Sequence, residues 1–163
     1  MMMKRRFFPL FLSDKTRQIM KIKQLSVYLQ NEPGHLSNVC KVLGDANIDI
    51  LTLSLADTAQ FGMLRIIVKD WEPAMKLLQE AGCMVKTVDV VATEIPDQPG
   101  GLAYILSILE AAKINVEYMY AFTSHVRDKA ILVFRFNDPD AAVELLHEKG
   151  VNVFGSVDLY QIS

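Results

Sequence analysis

The sequence predicts an α+β fold in which one β-α-β-β-α-β unit is written twice, with no flexible linker between the copies. Three observations predict it. The chain of 163 residues repeats itself at a spacing of 66 and then 68 residues. Its apolar residues change from a period of two to a period near 3.6 in the same order in both copies. A short Pro-Gly turn, NEPGHL at 31–36 and DQPGGL at 97–102, stands at the same place in each.

The repeat holds register over most of the chain. At the first offset Pro33-Gly34 matches Pro99-Gly100, Leu36 matches Leu102, Leu43 matches Leu109, Ala46 matches Ala112, Ile48 matches Ile114, and Asp49-Ile50 matches Asn115-Val116. Past the next hairpin Asp70 matches Asp138, Leu77-Leu78 match Leu145-Leu146, Glu80 matches Glu148, and Gly82 matches Gly150. Two extra residues in one hairpin are what a duplicated domain tolerates best.

Each element then follows from its pattern. IKQLSVYL (22–29) alternates as a strand. Leu36, Val39, Cys40 and Leu43 recur as one face of a helix, and Cys40 is read as packed on that face. IDILTLSLA (48–56) and MLRIIV (63–68) are β-branched strands around the turn residues DTAQFG. Asp70 is a helix N-cap, Ala74, Leu77, Leu78 and Ala81 form the second helical stripe, and Gly82 stops it. VKTVDVVATEI (85–95) runs extended. In the second copy Leu102, Ile105, Leu106 and Leu109 mark the first helix, strands fall near 114–122 and 130–137, and TSHVRD is a hairpin loop. Asp138-Pro139 opens the second helix, Gly150 ends it, and VDLYQI (157–162) supplies the closing strand.

Two helices on one face of a four-stranded antiparallel sheet is the ferredoxin-like arrangement. A unit of this size is marginal alone. Residues 85–95 must also serve both units, so the halves are expected to join rigidly, edge to edge or through one long strand. The boundaries read as a loosely ordered extension at 1–19, a first domain at 20–89 and a second at 90–163.

Composition narrows the function. With 51% hydrophobic and 22% charged residues, the chain is an ordinary globular one. Residues 1–19 carry a net charge of +4, leaving −6 on the rest. An acidic body is unsuited to phosphate backbones, so no nucleic-acid partner is expected. No apolar run is long enough for a membrane span. The start MMMKRRFFPLFL has only a six-residue apolar stretch, broken by Pro9, and no small-residue cleavage site, so it is not read as an export signal. With two cysteines, Cys40 and Cys83, outside any CxxC, the expected location is the cytoplasm. His35, His125 and His147 are scattered, metal spacings, P-loop and GxGxxG are absent, and no base–nucleophile pair stands out. No cofactor, metal or catalytic activity is expected. Tyr118, Tyr120, Phe122 and Phe134 are read as lining core or interface, and Asp57, Glu94 and Glu117 as solvated.

The Pro-Gly turn carries the candidate chemistry. It ends the first strand and aims the next helix's N-terminus, where free N–H groups and the helix dipole attract anions. Gly34, Gly100 and Gly101 allow positive φ and leave room for a ligand. Asn31 and Asp97 are placed to cap the turn or bond a ligand amine. Each feature alone is also ordinary turn chemistry. The recurrence of a polar residue, Asp49 and Asn115, between apolar neighbours at the second strand adds a second half to the site.

N/D-x-P-G-x-L, a helix, and then I-D/N-I/V opening a strand resemble the ACT domain, here as a tandem pair over residues 22–163. The resemblance implies amino-acid binding at an interface between copies. The ligand would touch the Pro-Gly loop and first helical turn of one copy and the second strand of its neighbour. Residue by residue it implicates Asn31, Gly34, His35 and Leu36 with Asp49 and Ile50, and Asp97, Gly100, Gly101 and Leu102 with Asn115 and Val116. The chain departs from that pattern in the apolar Leu29 and Ile95 and in having Asp49 where the second unit has Asn115, so the sites are expected to be unequal. The reading that follows is a non-catalytic regulatory protein that binds an amino acid, forms a homodimer and acts on a regulated enzyme. The alternative is a protein-interaction module whose Pro-Gly loops are structural and whose sheet edge binds a partner enzyme.

Overall fold

The computed structural model describes residues 12–57, 60–126 and 129–161. The first unit contains β1 (Ile22–Gln30), α2 (His35–Asp45), β2 (Ile50–Asp57), β3 (Phe61–Val68), α3 (Trp71–Glu80) and β4 (Met84–Pro96), preceded by a short helix, α1 (Asp14–Ile19). The second contains α4 (Gly101–Ala111), β5 (Val116–Val126), β6 (Lys129–Phe136), α5 (Pro139–Glu148), β7 (Val153–Phe154) and α6 (Ser156–Gln161).

One strand serves both units. Residues Met84 to Val90 of β4 pair with β1, and residues Val91 to Pro96 pair with β6, while β7 adds to β4 at Ala92 and Thr93. The resulting sheet runs β2-β3-β1-β4-β6-β5, antiparallel throughout. Thus the expected junction between residues 89 and 90 lies inside a continuous strand. The duplication is repeated in the pairing register. Tyr28 faces Met84 and Met63, and its counterpart Glu94 is bound by β6 at Ile131, one step from the Thr93–Val153 pair. Gln30 faces Phe61 just as Pro96 faces Lys129.

Three apolar clusters hold this together. In the first unit Leu25, Val27 and Leu29 of β1 pack under Val39 and Leu43 of α2 and Ala74 and Leu78 of α3. In the second, Val91 and Ile95 pack under Ile105, Leu109, Val143 and Leu146, with Phe134 and Phe136 stacked 5.4 Å apart. The third joins the units through the opposite sheet faces, bringing Ile22, Ile67 and Val90 against Phe122, Ile131, Val133 and Leu159. Each such side chain contributes about 1.5–3 kcal/mol on full burial. The seam therefore holds the halves as a rigid pair.

Polar contacts cross the same seam. Gln24, fully buried, accepts from the Tyr120 hydroxyl and donates to Tyr118 and Ser26 at 2.9–3.0 Å. The Arg65 guanidinium lies 4.0 Å above the Tyr118 ring, and Thr52 of β2 donates to the Ala121 carbonyl of β5. Tyr118, Tyr120 and Phe122 thus lie at the inter-unit interface, and Phe134 in the core.

Several expectations are corrected. Residues 14–19 are not loose: Ser13 caps α1, and Arg17 pairs with Glu144 of α5 while Lys21 pairs with Asp140 at 2.8 Å. Residues 1–11 lie outside the described residues. The closing strand is the two-residue β7, and 156–161 is helical, because Leu159 enters the seam cluster from a helix instead of extending the sheet. Strand β5 runs through Val126, so 123–126 is not loop. The His125 and Asp57 side chains and the turn residues 58–59 lie outside what is described. Cys40 is exposed, since α2 turns Val39 and Leu43 inward with Val42 beside them. Asp70 stands at the N-cap of α3 with no side-chain cap bond, whereas Asp138 accepts from the Ala141 N–H of α5. Glu94 is largely buried and bonded to Lys129 at 3.0 Å and Asn152 at 3.2 Å, not solvated.

Candidate functional site

Each Pro-Gly turn ends in a glycine that is the helix N-cap. Gly34 has φ +95° and Gly100 φ +87°, left-handed values that favour glycine. A Cβ at either would meet nothing within 4 Å, so conformation and not crowding demands the glycine. Glycine has no side chain, and neither helix has a side-chain cap bond at this end. The first N–H of each helix closes its own turn, His35 onto the Glu32 carbonyl at 3.4 Å and Gly101 onto that of Gln98 at 3.0 Å, and the N–H groups that follow leave the positive end of the helix dipole open. Asn31 and Asp97 are exposed and stand three residues ahead of the caps. The Asn31 N–H donates to the Gln60 carbonyl, which ties the turn to the base of β3.

Gly101 differs from this expectation. Its φ is not positive, and a Cβ there would sit 2.1 Å from the Pro96 carbonyl oxygen. It is buried, and its role is to let α4 close against β4. The first unit has His35 at the equivalent place, half-buried, with Nε2 3.9 Å from the Glu32 carboxylate.

At Gly34 the turn opens onto a groove of about 410 Å³ lined by Tyr28, Leu29, Pro33, Gly34, His35, Asn38, Ala81, Gly82 and Cys83. The α3–β4 turn, residues 81–83, is the wall that sequence reasoning missed. Its signal in the sequence is the repeat of Gly82 and Gly150, whose pattern by itself says only that a helix stops. Gly82 does take φ +84°, as a helix-ending glycine does. Burial pushes the Cys83 thiol above its ordinary range, so it presents a neutral wall.

Asp49, Ile50, Asn115 and Val116 are not brought to the Pro-Gly loops within the chain. In each unit the loop and the strand opening lie at opposite ends of an 11-residue helix, about 16 Å long. Asp49 is exposed, and Ile50 packs on the first core. Asn115 and Val116 line a separate depression of about 430 Å³ with Leu106, Glu110 and Lys113. The Asn115 N–H donates to the Asn137 side chain at 2.9 Å. Leu36 is exposed and Leu102 half-buried. Among the described residues, no three His, Cys, Asp or Glu side chains are grouped to hold a metal, and no helix is long and apolar enough to cross a membrane.

Two glycine-opened helix starts on duplicated β-α-β-β-α-β units define a class, and comparison gives that class its name. The family model described as the ACT domain pair matches residues 20–163, and the chain belongs to that family. Among solved structures it is similar to protein BT0572 from Bacteroides thetaiotaomicron, with 40% identity and a TM-score of 0.81 over 86% of this chain and 96% of that one. It is also similar to the regulatory subunits of aspartate kinase from Thermus thermophilus (14% identity, TM-score 0.56, 77% of this chain and 91% of that one) and from Thermus flavus (16%, 0.55, 77% and 90%). The likeness to these two is one of fold. None of the curated proteins compared with the chain matches it.

Proposed function

We propose that the protein is a non-catalytic regulator that binds an amino acid between ACT units of two copies of the chain. The observation that carries this reading is the open groove at Gly34, bounded by an uncapped helix start and containing room for a small molecule. The ligand carboxylate would meet the N–H groups at the start of α2. Its ammonium would meet a polar group at a neighbour's second strand, Asp49 or Asn115. Because loop and strand opening sit at opposite ends of one helix, one unit cannot supply both halves, and in this reading a second copy supplies the other. The exposed Leu53 and Leu55 on β2, the strand at one end of the sheet, give that copy apolar surface to cover. A ligand gripped by two copies favours their docked arrangement, and this linkage is what an attached or partner enzyme would sense.

The test is a melting-temperature scan with the twenty amino acids at millimolar concentration, paired with sedimentation of the free and loaded protein. A ligand at about 100 times its dissociation constant stabilises by about 2.7 kcal/mol, several degrees at this size. A hit accompanied by dimer formation or tightening supports the reading. A flat scan favours the second reading, a protein-interaction module with structural turns, for which the same exposed Leu53 and Leu55 would be the contact surface.

A further inference from the structure

The duplication supplies an internal control for the groove at Gly34. The equivalent place in the second unit is a smaller space, about 230 Å³, lined by Glu94, Ile95, Pro96, Tyr104, Ile105, Lys129, Lys149, Gly150, Val151 and Asn152. The first groove falls within the range of small-molecule pockets, about 300–1,000 Å³, and the second below it. Their walls differ more than their sizes.

Positions 94, 129, 149 and 152 correspond by repeat and strand register to Tyr28, Phe61, Ala81 and Met84. Glu, Lys, Lys and Asn in one unit are thus Tyr, Phe, Ala and Met in the other. In the second unit Glu94 is bound by Lys129 and by Asn152. Among the described residues, the first groove has no Asp, Glu, Lys or Arg in its lining. Around it, the exposed Glu32 carboxylate lies 3.9 Å from His35 Nε2, and Lys86 lies over the Tyr28 ring at 5.3 Å. A charged ligand side chain entering this groove would leave water without a lining countercharge, while an apolar one would lose nothing and gain buried area.

We infer that the first groove selects an amino acid with an apolar, uncharged side chain, and that its counterpart is narrowed by the chain's own ion pair below what a ligand needs, so that each chain takes one ligand. This rests on the amino-acid reading above. The neutral Cys83 thiol fits it, and so does Asn38, the lining amide that takes the place held by Tyr104 in the second unit.

Calorimetric titration of the full chain with L-leucine, L-phenylalanine, L-lysine and L-aspartate tests it. Leucine or phenylalanine should bind at one per chain, with lysine and aspartate at least about tenfold weaker. Ala81→Lys, an exposed change that imports the second unit's Lys149, should weaken the apolar ligand about tenfold without lowering the unliganded melting temperature. Binding of lysine or aspartate in preference to the apolar pair overturns this inference and leaves the amino-acid reading standing. Two ligands per chain overturn the assignment of the second groove as too narrow for a ligand. Tighter binding of the dipeptide Gly-Leu than of leucine overturns it in favour of a peptide C-terminus. No binding by any of the four, together with a flat scan of all twenty, overturns both.

Discussion

The two units descend from one pattern, yet their Pro-Gly turns are held by different means. In the first, Gly34 carries the left-handed turn and the next residue, His35, keeps a full side chain. In the second, Gly100 carries the same turn, but the next residue must also be glycine, because α4 lies against the Pro96 carbonyl. The second turn is closed onto its sheet and its groove is bridged by Glu94 and Lys129, while the first stays open. A duplicated motif can thus keep its backbone and narrow its groove, by packing in one place and by an ion pair in another.

The contrast can be broken most sharply at Gly101. Gly101→Ala places a methyl where the Pro96 carbonyl already is and should cost about 3 kcal/mol, whereas His35→Ala at the equivalent site should change stability by less than about 0.5 kcal/mol. Denaturant unfolding of the two variants measures the gap, and equal costs would show that α2 and α4 approach their sheets alike.

Removing the link between the units comes next. Gln24→Leu leaves the Tyr118 and Tyr120 hydroxyls without their shared partner in a buried seam, with an expected loss of about 1–3 kcal/mol in the same experiment. Close in size is Gly34→Ala. It meets no atom, so its cost is only the left-handed φ, about 1–2 kcal/mol. Gly100→Ala should match it, since both sites are open around the missing Cβ.

An alkaline effect belongs to the seam alone. Burial, with the neighbouring Tyr118 adding to it, holds the Tyr120 hydroxyl well above its ordinary value. Above a pH of about 10 the unfolded chain loses this proton while the folded chain keeps it. The unfolded state then binds fewer protons, and stability falls as pH rises. Melting temperature should decline above that pH, and Tyr120→Phe should flatten this part of the decline. Smallest of all is Lys129→Met, which removes the half-exposed partner of Glu94 and should change stability by less than about 1 kcal/mol. Its readout is the second groove, which should then accept a second ligand in the titration.

Much of this was legible in the chain. Alternation at 22–29 and 85–95, helical stripes such as Ile105 and Leu109, and glycines at 34, 82, 100 and 150 each report a local requirement, and local requirements are written residue by residue. The errors occurred where distant partners decide. Cys40 could lie on either flank of a helix with Val39 and Val42, and only the sheet beneath α2 chose the flank. The alternation at 22–29 does not say what covers Gln24, which is fully buried because Tyr118 and Tyr120 of β5 reach it across the seam. Residues 156–161 have strand-like content, but their position beyond the short β7 puts Leu159 into the seam as a helix.

The duplication, the order of elements from β1 to α5, the rigid junction and the two glycine-opened turns are written in the chain itself. These depend on backbone freedom and side-chain periodicity, which each residue carries with it. Only the tertiary structure decided that one strand is shared, that loop and strand opening lie at opposite ends of a helix, and that one groove is open and its twin bridged. Those outcomes depend on which side chains from distant segments arrive at the same place, and no single segment contains that information.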